Sequence, residues 1–162
     1  MITLRKVDDT NVRDVLALEV RDDQQYFVTN ARDSMEEHRA IISHGEWSEP
    51  IAVYDDDCPV GFAFITYERS DSTEPPGAAP GYYVISHYYI DKRYQHRGYG
   101  RAGLLLCLDY LRTAPCDRAD SVWIAWNPAN PVAGHLYESV GFEHTDLRNG
   151  EEIVSVLRFD VK

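Results

Sequence analysis

The sequence predicts an α/β fold in which helices cover both faces of a central sheet. Its hydrophobic patterns run as one strand, two helices, three strands, a helix, a strand, a helix and terminal strands. A mixture of this kind is stable when helices pack on both faces of the sheet. With 162 residues, 44% hydrophobic and 27% charged, the chain fits one globular domain, which we expect to span residues 1–162.

The first strand and helix follow from short local signals. Ile2, Leu4 and Val7 alternate approximately as in a strand. Thr10 or Asn11 can cap the helix that follows, because both side chains accept hydrogen bonds from backbone N–H groups. The polar run RDDQQYFVTNARD then indicates a loop or a short irregular helix.

The second helix is predicted to begin at an N-cap at Ser34, with Glu37 at the capping-box position, and to run through about His44. A hairpin is expected next, because the turn DDDCP separates Ile51 and Val53 from the strand PVGFAFITYE. The Pro/Gly-rich run STEPPGAAPG indicates an exposed loop. Further on, the runs GYYVISHYYID and SVWIAW are typical of strands. The leucine stripe between them and the run NPVAGHLYESVG after them are typical of helices, and two final strands flank the turn RNGEE.

Composition restricts the class of protein. A net charge of -11 argues against nucleic-acid binding, which needs a basic surface, and agrees with a cationic substrate or with life in high salt. No apolar run is long enough to cross a membrane, and charges interrupt the start MITLRKVDD where a signal peptide is apolar. From that start we expect a cytoplasmic protein. The three cysteines lack metal-ligand spacing, so we expect no metal.

One basic segment stands out in this acidic chain. Residues 1–57 carry 14 acidic and 6 basic residues, a balance of -8, whereas Lys92, Arg93, Arg97 and Arg101 lie within ten positions. They belong to the run IDKRYQHRGYGRAG between a strand and a helix. A glycine turn leading into a helix N-terminus, with arginines beside it, can hold a pyrophosphate. The glycines by themselves also fit a tight strand-to-helix turn.

Two motifs together resemble those of a known family. The run Gln95-His96-Arg97-Gly98-Tyr99-Gly100 is similar to the Q/R-x-x-G-x-G/A signature of the GNAT acetyltransferases. Downstream, NPVAGHLYESVGF resembles the N-x-x-A-x-x-x-Y element of the same family, and the likeness spans most of the chain. The resemblance implies a mixed, mostly antiparallel, twisted sheet flanked by helices on both faces. It also implies acetyl-CoA as co-substrate and a homodimer as a common assembly. The lack of a long apolar run predicts no membrane partner.

The resemblance assigns roles to residues. The signature would hold the pyrophosphate, the backbone of Tyr89 and Ile90 would bind the pantetheine arm and polarise the acetyl carbonyl, and Asn130 would bind the pantetheine region. The implied coenzyme-binding set is Tyr89, Ile90, Gln95, His96, Arg97, Gly98, Tyr99, Gly100, Arg101 and Asn130.

The implied proton donor to the departing thiolate is Tyr137, since a phenol with a reference pKa near 10 can protonate a thiolate. Most helical tyrosines nevertheless serve only packing. The strand before the signature lacks the carboxylate that many family members place there. His87 is therefore the candidate base. Alternatively, Ser86 and a chain of water molecules relay the proton, or His87 is only a hydrogen-bonded structural residue of the sheet.

The acceptor is expected to be a small amine. The run QQYFVTN followed by SMEE is similar to the acceptor loop of bacterial spermine/spermidine acetyltransferases, which implies a polyamine held by Glu19, Asp22, Asp23, Tyr26 and Phe27. Carboxylates would pair with distant ammonium groups, and aromatic rings would pack on methylene segments. A solvated acidic loop, another amine acceptor (an antibiotic, an amino acid or a protein N-terminus) and a non-catalytic acyl-CoA-binding module remain the alternatives.

Overall fold

The computed structural model describes residues 1–69 and 81–160, in which seven strands form one sheet in the order β1-β2-β3-β4-β5-β7-β6. The strands are β1 (Ile2–Lys6), β2 (Ser48–Asp55), β3 (Cys58–Glu68), β4 (Gly81–Ile90), β5 (Ala119–Trp126), β6 (Glu143–Asn149) and β7 (Glu152–Arg158). The helices are α1 (Val12–Leu16), α2 (Ala31–Ser43), α3 (Tyr99–Arg112) and α4 (Pro131–Ser139), with a 3-10 turn at Asp22–Gln24. Neighbouring strands pair antiparallel except β4 and β5, which are parallel.

The predicted element order and the mostly antiparallel sheet are confirmed. The predicted hairpin joins β2 to β3 through Asp56 and Asp57, and Asp56 takes a positive φ of 51°. The predicted loop STEPPGAAPG lies, apart from Gly81, outside the described residues.

Two apolar clusters cover the two faces of the sheet. On one face, the leucine stripe of α3 is fully buried against β3 and β4, with Leu104, Leu108 and Leu111 each at most 1% exposed. Burial of one such side chain contributes about 2 kcal/mol to folding. On the other face, α1 and α2 bury Val15 and Ala31 against β2 and β3. The helices therefore flank the sheet on both faces, as the sequence predicts.

The prediction that Ser34 caps α2 is wrong. The helix begins one turn earlier, and the N-cap is Asn30, whose side chain accepts a hydrogen bond from the N–H of Asp33 at 2.9 Å. Ser34 is buried inside the helix, where its hydroxyl donates to the carbonyl of Asn30. Asparagine is as good a capping residue as serine, so the earlier of the two sites starts the helix. Glu37 therefore has no capping role.

The cap of α1 also differs in detail from the expectation. Asn11 occupies the N-cap position, but its side chain makes no capping bond to that helix. Instead it accepts from the N–H of Asp8 and donates to the carbonyl of Lys6, which ties the end of β1 to the start of α1.

A β-bulge in β4 shapes the part of the sheet that matters for function. The register with β3 pairs Ile85 with Ile65 and His87 with Phe64, so Ser86 is the extra residue. A bulge of this kind directs two successive side chains to one face. The Ser86 hydroxyl accordingly lies 3.4 Å from that of Thr66, and the His87 ring stacks on Phe64.

The bulge coincides with the point where β4 and β5 separate. Their parallel pairing begins at Gly81 and Ala119 and ends at Ile85 and Ile124. Beyond Ile85, β4 continues to Ile90 with β3 as its paired neighbour. The second half of β4 therefore presents an edge of backbone groups toward a gap in the sheet.

Candidate active site

The gap between β4 and β5 carries the predicted backbone site. Tyr89 and Ile90 lie on the part of β4 that β5 does not pair, as backbone contacts to an extended ligand require. The side chain of Tyr89 points away into the α1/α2 cluster, where burial raises its pKa to about 12. Its predicted contribution therefore comes from its backbone alone.

The signature loop ends in a left-handed turn that opens α3. His96 has φ 61° and Gly98 has φ 82°, and Gly98 is the N-cap residue of α3. Within the described residues, no backbone N–H from residue 95 to residue 101 donates to a protein acceptor. Free N–H groups in such a turn and at a helix N-terminus attract anions.

Positive charge surrounds the same turn. Arg97 and Arg101 are exposed there, and the guanidinium of Arg97 lies 5.7 Å from the ring centre of Tyr94. With the helix dipole of α3, these groups could hold a pyrophosphate, so the residues present fit the coenzyme that the signature implies.

The two signature glycines differ in what they do. At Gly98 an added Cβ would meet no atom within 4 Å, so the positive φ alone calls for glycine there. At Gly100 an added Cβ would lie 3.6 Å from Leu136 and 3.7 Å from Ile90, in ordinary contact with the protein interior. Backbone conformation therefore explains Gly98, whereas the space at Gly100 would admit a small side chain.

Three other members of the signature anchor the loop. The Gln95 amide donates to the side chain of Gln24 at 2.7 Å and to the carbonyl of Ile90 at 3.0 Å. The Tyr99 hydroxyl donates to Asp55 at 2.6 Å, and His96 lies 3.4 Å from the guanidinium of Arg21. The side chains of Gln95, His96 and Tyr99 thus hold the loop in place.

A buried carboxylate, Asp91, joins this loop to the N-terminal segment. It accepts hydrogen bonds from the N–H of Glu19 at 2.9 Å and from both the backbone and the guanidinium of Arg93. Burial opposes its ionisation, but the hydrogen bonds from Arg93 and Glu19 outweigh it, so the pKa of Asp91 is lowered. No sequence motif predicted a role for this residue.

Tyr137 lies on α4, 7% exposed, with its ring centre 6.1 Å from that of Phe142. Burial first, and the charge of Glu152 second, raise its pKa, so the hydroxyl keeps its proton. Within the described residues that hydroxyl has no hydrogen-bond partner, and the side chain of Asn130 at the N-cap of α4 has none either.

Tyr137 belongs to the cluster on the α3/α4 face, next to the N-terminus of α3. There Leu136 lies beside Gly100, and the hydroxyl of Tyr88 donates to the carbonyl of Gly100 at 2.6 Å. His87 projects from the opposite face of β4, beyond the bulge. The predicted acid and base therefore flank the sheet on opposite faces, at the level where β4 and β5 separate.

A carboxylate from α2 reaches His87. Glu37 lies 3.1 Å from Nε2 of His87, and the imidazole is parallel to the ring of Phe64, with an interplanar angle of 8° and 5.8 Å between centres. The carboxylate that β4 lacks is thus present near its histidine, supplied by another element.

The predicted acceptor residues lie against the signature loop. Glu19 forms an ion pair with Lys92 at 2.6 Å, and Asp23 pairs with Arg21 at 3.2 Å. Tyr26 is 80% exposed, and its ring meets the edge of Phe27. Asp22 is exposed and accepts from the amide of Gln25 at 3.3 Å. The structure brings this segment to the signature loop, not into contact with His87.

Comparison with known proteins places the chain in a family. The sequence model of the Acetyltransferase (GNAT) family matches residues 13–142. The chain belongs to the GNAT acetyltransferase family. It is therefore an acetyl-CoA-dependent acetyltransferase.

Individual relatives are distant but cover the whole chain. The spermine/spermidine N(1)-acetyltransferase of Bacillus subtilis is 23% identical over 159 residues, or 94% of this chain and 96% of that protein. Among solved structures, the PaiA N-acetyltransferase of Thermoplasma acidophilum in complex with coenzyme A is 11% identical, with a TM-score of 0.68 over 98% of this chain and 99% of that one. The aminoglycoside acetyltransferase AAC(6')-Ib in complex with coenzyme A and kanamycin is 16% identical, with a TM-score of 0.72 over 98% and 95%.

Two further observations concern what this acetyltransferase contains. Within residues 1–69 and 81–160, no helix is long and apolar enough to cross a membrane. In the same ranges no three His, Cys, Asp or Glu side chains are grouped so that they could hold a metal ion.

The contacts of Asp91 and Glu37 and the bulge at Ser86 were not predicted from the sequence. Asp91 carried a weak signal, because a carboxylate directly after a buried strand needs a partner. Glu37 carried a misleading one, because its spacing from Ser34 matches a capping box.

Proposed function

We propose that this acetyltransferase transfers the acetyl group of acetyl-CoA to a primary amine of a small cationic acceptor, a polyamine such as spermidine or spermine. The observation that carries the proposal is the gap between β4 and β5, with the basic turn of α3 at one end. His87 and Tyr137 lie on opposite faces of the sheet beside it. A thioester held along that gap would have a base on one side and an acid on the other.

The anionic end of the coenzyme would be held by the N–H groups of residues 97–101, with Arg97 and Arg101 beside them. Asn130, whose side chain is free of other described partners, would bind the pantetheine arm together with the backbone of Tyr89 and Ile90. The coenzyme supplies an acetyl group activated as a thioester.

His87 would take a proton from the attacking amine nitrogen as the nitrogen–carbon bond forms and the carbon–sulfur bond breaks. Tyr137 would give the departing sulfur its proton. The proton on His87 then returns to Tyr137 through solvent, so that amine and thioester become amide and thiol. Positioning of the two reactants and polarisation of the thioester carbonyl by backbone N–H groups would supply most of the rate enhancement.

Direct transfer is favoured because no cysteine is suited to carry the acetyl group. Cys107 is buried, and burial raises the pKa of its thiol to about 12. Burial first, and Asp117 second, also raise the pKa of the Cys116 thiol. Cys58 is exposed at the start of β3, beside Tyr94. A covalent route needs an accessible thiolate next to the thioester.

The choice of a polyamine rests on charge and on one relative. The net charge of -11 favours a cationic acceptor, and the Bacillus subtilis relative is named for spermine and spermidine. Asp22 and Tyr26 remain exposed on the N-terminal segment, where a distal ammonium group and methylene carbons could contact them.

The test is thiol release from acetyl-CoA with a panel of amines that includes spermidine, spermine, kanamycin and amino acids. Release with spermidine or spermine at a kcat/KM well above the others supports the proposal. A preference for kanamycin or an amino acid keeps the reaction and discards the polyamine. Coenzyme binding without release with any amine would leave a binding module.

Asp22→Asn and Tyr26→Ala test the acceptor segment in the same assay. Both are expected to raise KM for spermidine and to leave the Kd for coenzyme A unchanged. Asp146→Asn, an exposed carboxylate on β6, is the matched control.

A further inference from the structure

Glu37 approaches His87 from a different element of the fold. Its helix, α2, packs on β2, while His87 projects from β4 because of the bulge at Ser86. The Glu37 carboxylate and the His87 Nε2 are 3.1 Å apart, a hydrogen-bond distance. The side chain of His87 is 19% exposed and that of Glu37 is 45% exposed, so the contact lies at the rim of the groove between α2 and the sheet.

The chemistry of the two groups fixes where the proton lies. An ionised carboxylate can only accept hydrogen bonds, so Nε2 must carry a hydrogen for the contact to form. A neutral imidazole has one N–H, so Nδ1 then keeps its lone pair. Within the described residues, Nδ1 of His87 has no hydrogen-bond partner.

The ring plane is held as well as the tautomer. The parallel contact with Phe64 restricts rotation of the imidazole, and Phe64 is itself completely buried in the α1/α2 cluster. A base fixed in plane and in tautomer needs little reorganisation when it takes a proton.

We infer that Glu37 is a positioning residue, which holds His87 as the Nε2–H tautomer so that Nδ1 is the atom that accepts the proton of the amine. The inference rests on the proposed acetyl transfer with His87 as base. When Nδ1 takes the proton, the imidazolium keeps its Nε2–H on Glu37, and the carboxylate stabilises the new positive charge. Glu37 itself takes up no proton in this step and contacts neither substrate.

The variants that test this are Glu37→Ala and Glu37→Gln, with Glu36→Ala as the matched control. Glu36 is an exposed carboxylate on the same helix, and it has no hydrogen bond to the sheet within the described residues. A glutamine can both donate and accept, so it no longer selects one tautomer. Because Glu37 is on the surface, its replacement should leave the fold intact, which a thermal melt checks.

The direct readout is the nitrogen spectrum of histidine-labelled free enzyme at a pH where the imidazole is neutral, with His87 assigned from a His87→Gln variant. We expect the Nε2–H form in the wild-type protein and in Glu36→Ala, and a mixture of both tautomers in Glu37→Ala and Glu37→Gln. An Nδ1–H form in the wild-type protein would overturn the inference.

The kinetic readout is kcat for the preferred amine. We expect a fall of about tenfold or more in both Glu37 variants, with KM for acetyl-CoA unchanged and Glu36→Ala at the wild-type rate. Glu37 variants that match the wild-type kcat would also overturn the inference.

The two readouts separate the failure of the inference from that of the proposed function. The tautomer is measured without substrate, so a wrong tautomer sinks the role of Glu37 even where amines are acetylated. Conversely, a His87→Gln enzyme with wild-type kcat would remove the base itself, and with it the positioning role, even where the Nε2–H tautomer is found.

Discussion

Two glycine substitutions at the left-handed turn before α3 are expected to change the free energy of unfolding in opposite directions. Gly98→Ala places a Cβ on a residue with φ 82°, in open space, so its cost is conformational and not steric. An L-residue in the left-handed region costs about 1–2 kcal/mol. Gly100→Ala places a Cβ at 3.6 Å from Leu136, inside the first turn of α3, with no positive φ. Replacing a glycine at such a position stabilises a protein by about 0.4–1 kcal/mol.

Urea unfolding measures both effects, and titration of coenzyme A measures their consequence for binding. We expect Gly98→Ala to lower the free energy of unfolding by about 1–2 kcal/mol at an unchanged m-value. Its coenzyme affinity should also fall, because relief of the strain moves the N–H groups of residues 97–101 out of register. Gly100→Ala should keep or raise stability. If Gly98→Ala unfolds at the wild-type midpoint and binds coenzyme A with the wild-type Kd, the turn does not need its left-handed residue and the reasoning fails.

Two further predictions concern buried groups. Tyr137→Phe should change the free energy of unfolding by less than about 1 kcal/mol, because the hydroxyl has no described partner. We expect its kcat to fall about 100-fold while the Kd for coenzyme A stays the same. A wild-type kcat would remove Tyr137 as the acid. Asp91→Asn should destabilise the protein by about 2 kcal/mol through its bonds to Arg93 and Glu19. Since the pKa of Asp91 is lowered in the fold, its stabilisation is complete above the unfolded pKa near 4 and is lost as pH falls through the folded value. The difference in melting temperature between the two proteins should therefore narrow as pH falls below about 4, and a constant difference would contradict the assignment.

Local signals predicted most of the fold. The leucine stripe of α3 predicted a helix, because buried residues of a helix recur about every 3.6 residues. The aromatic run of β4 predicted a strand, because a buried strand is filled with apolar and aromatic residues. The start of α2 was misplaced because Asn30 and Ser34 are both good N-caps one turn apart, and the sequence alone does not decide between them.

The candidate site was predictable where it depends on backbone conformation and not where it depends on distant contacts. Gly98 marks its own left-handed turn, so the turn that opens α3 could be found from the sequence. The bulge at Ser86 could not, because β4 is apolar and aromatic on both faces and its alternation cannot be followed. The partners of Glu37 and Asp91 come from other elements, and no local pattern records such pairs.

The parallel pairing of β4 with β5 has a consequence for the order of folding and for local opening of the sheet. Strands β2, β3 and β4 follow one another in the chain and pair as antiparallel neighbours. Only a short loop separates β2 from β3, so this pair can form early. The join itself needs the crossover through α3, so we expect it to form late in folding. It is also the place where strand pairing stops halfway, at Ile85 and Ile124. A coenzyme bound between β4 and β5 would contact the strands on both sides of this gap and hold them together. Amide hydrogen exchange in β5 and β7 should therefore slow when it binds.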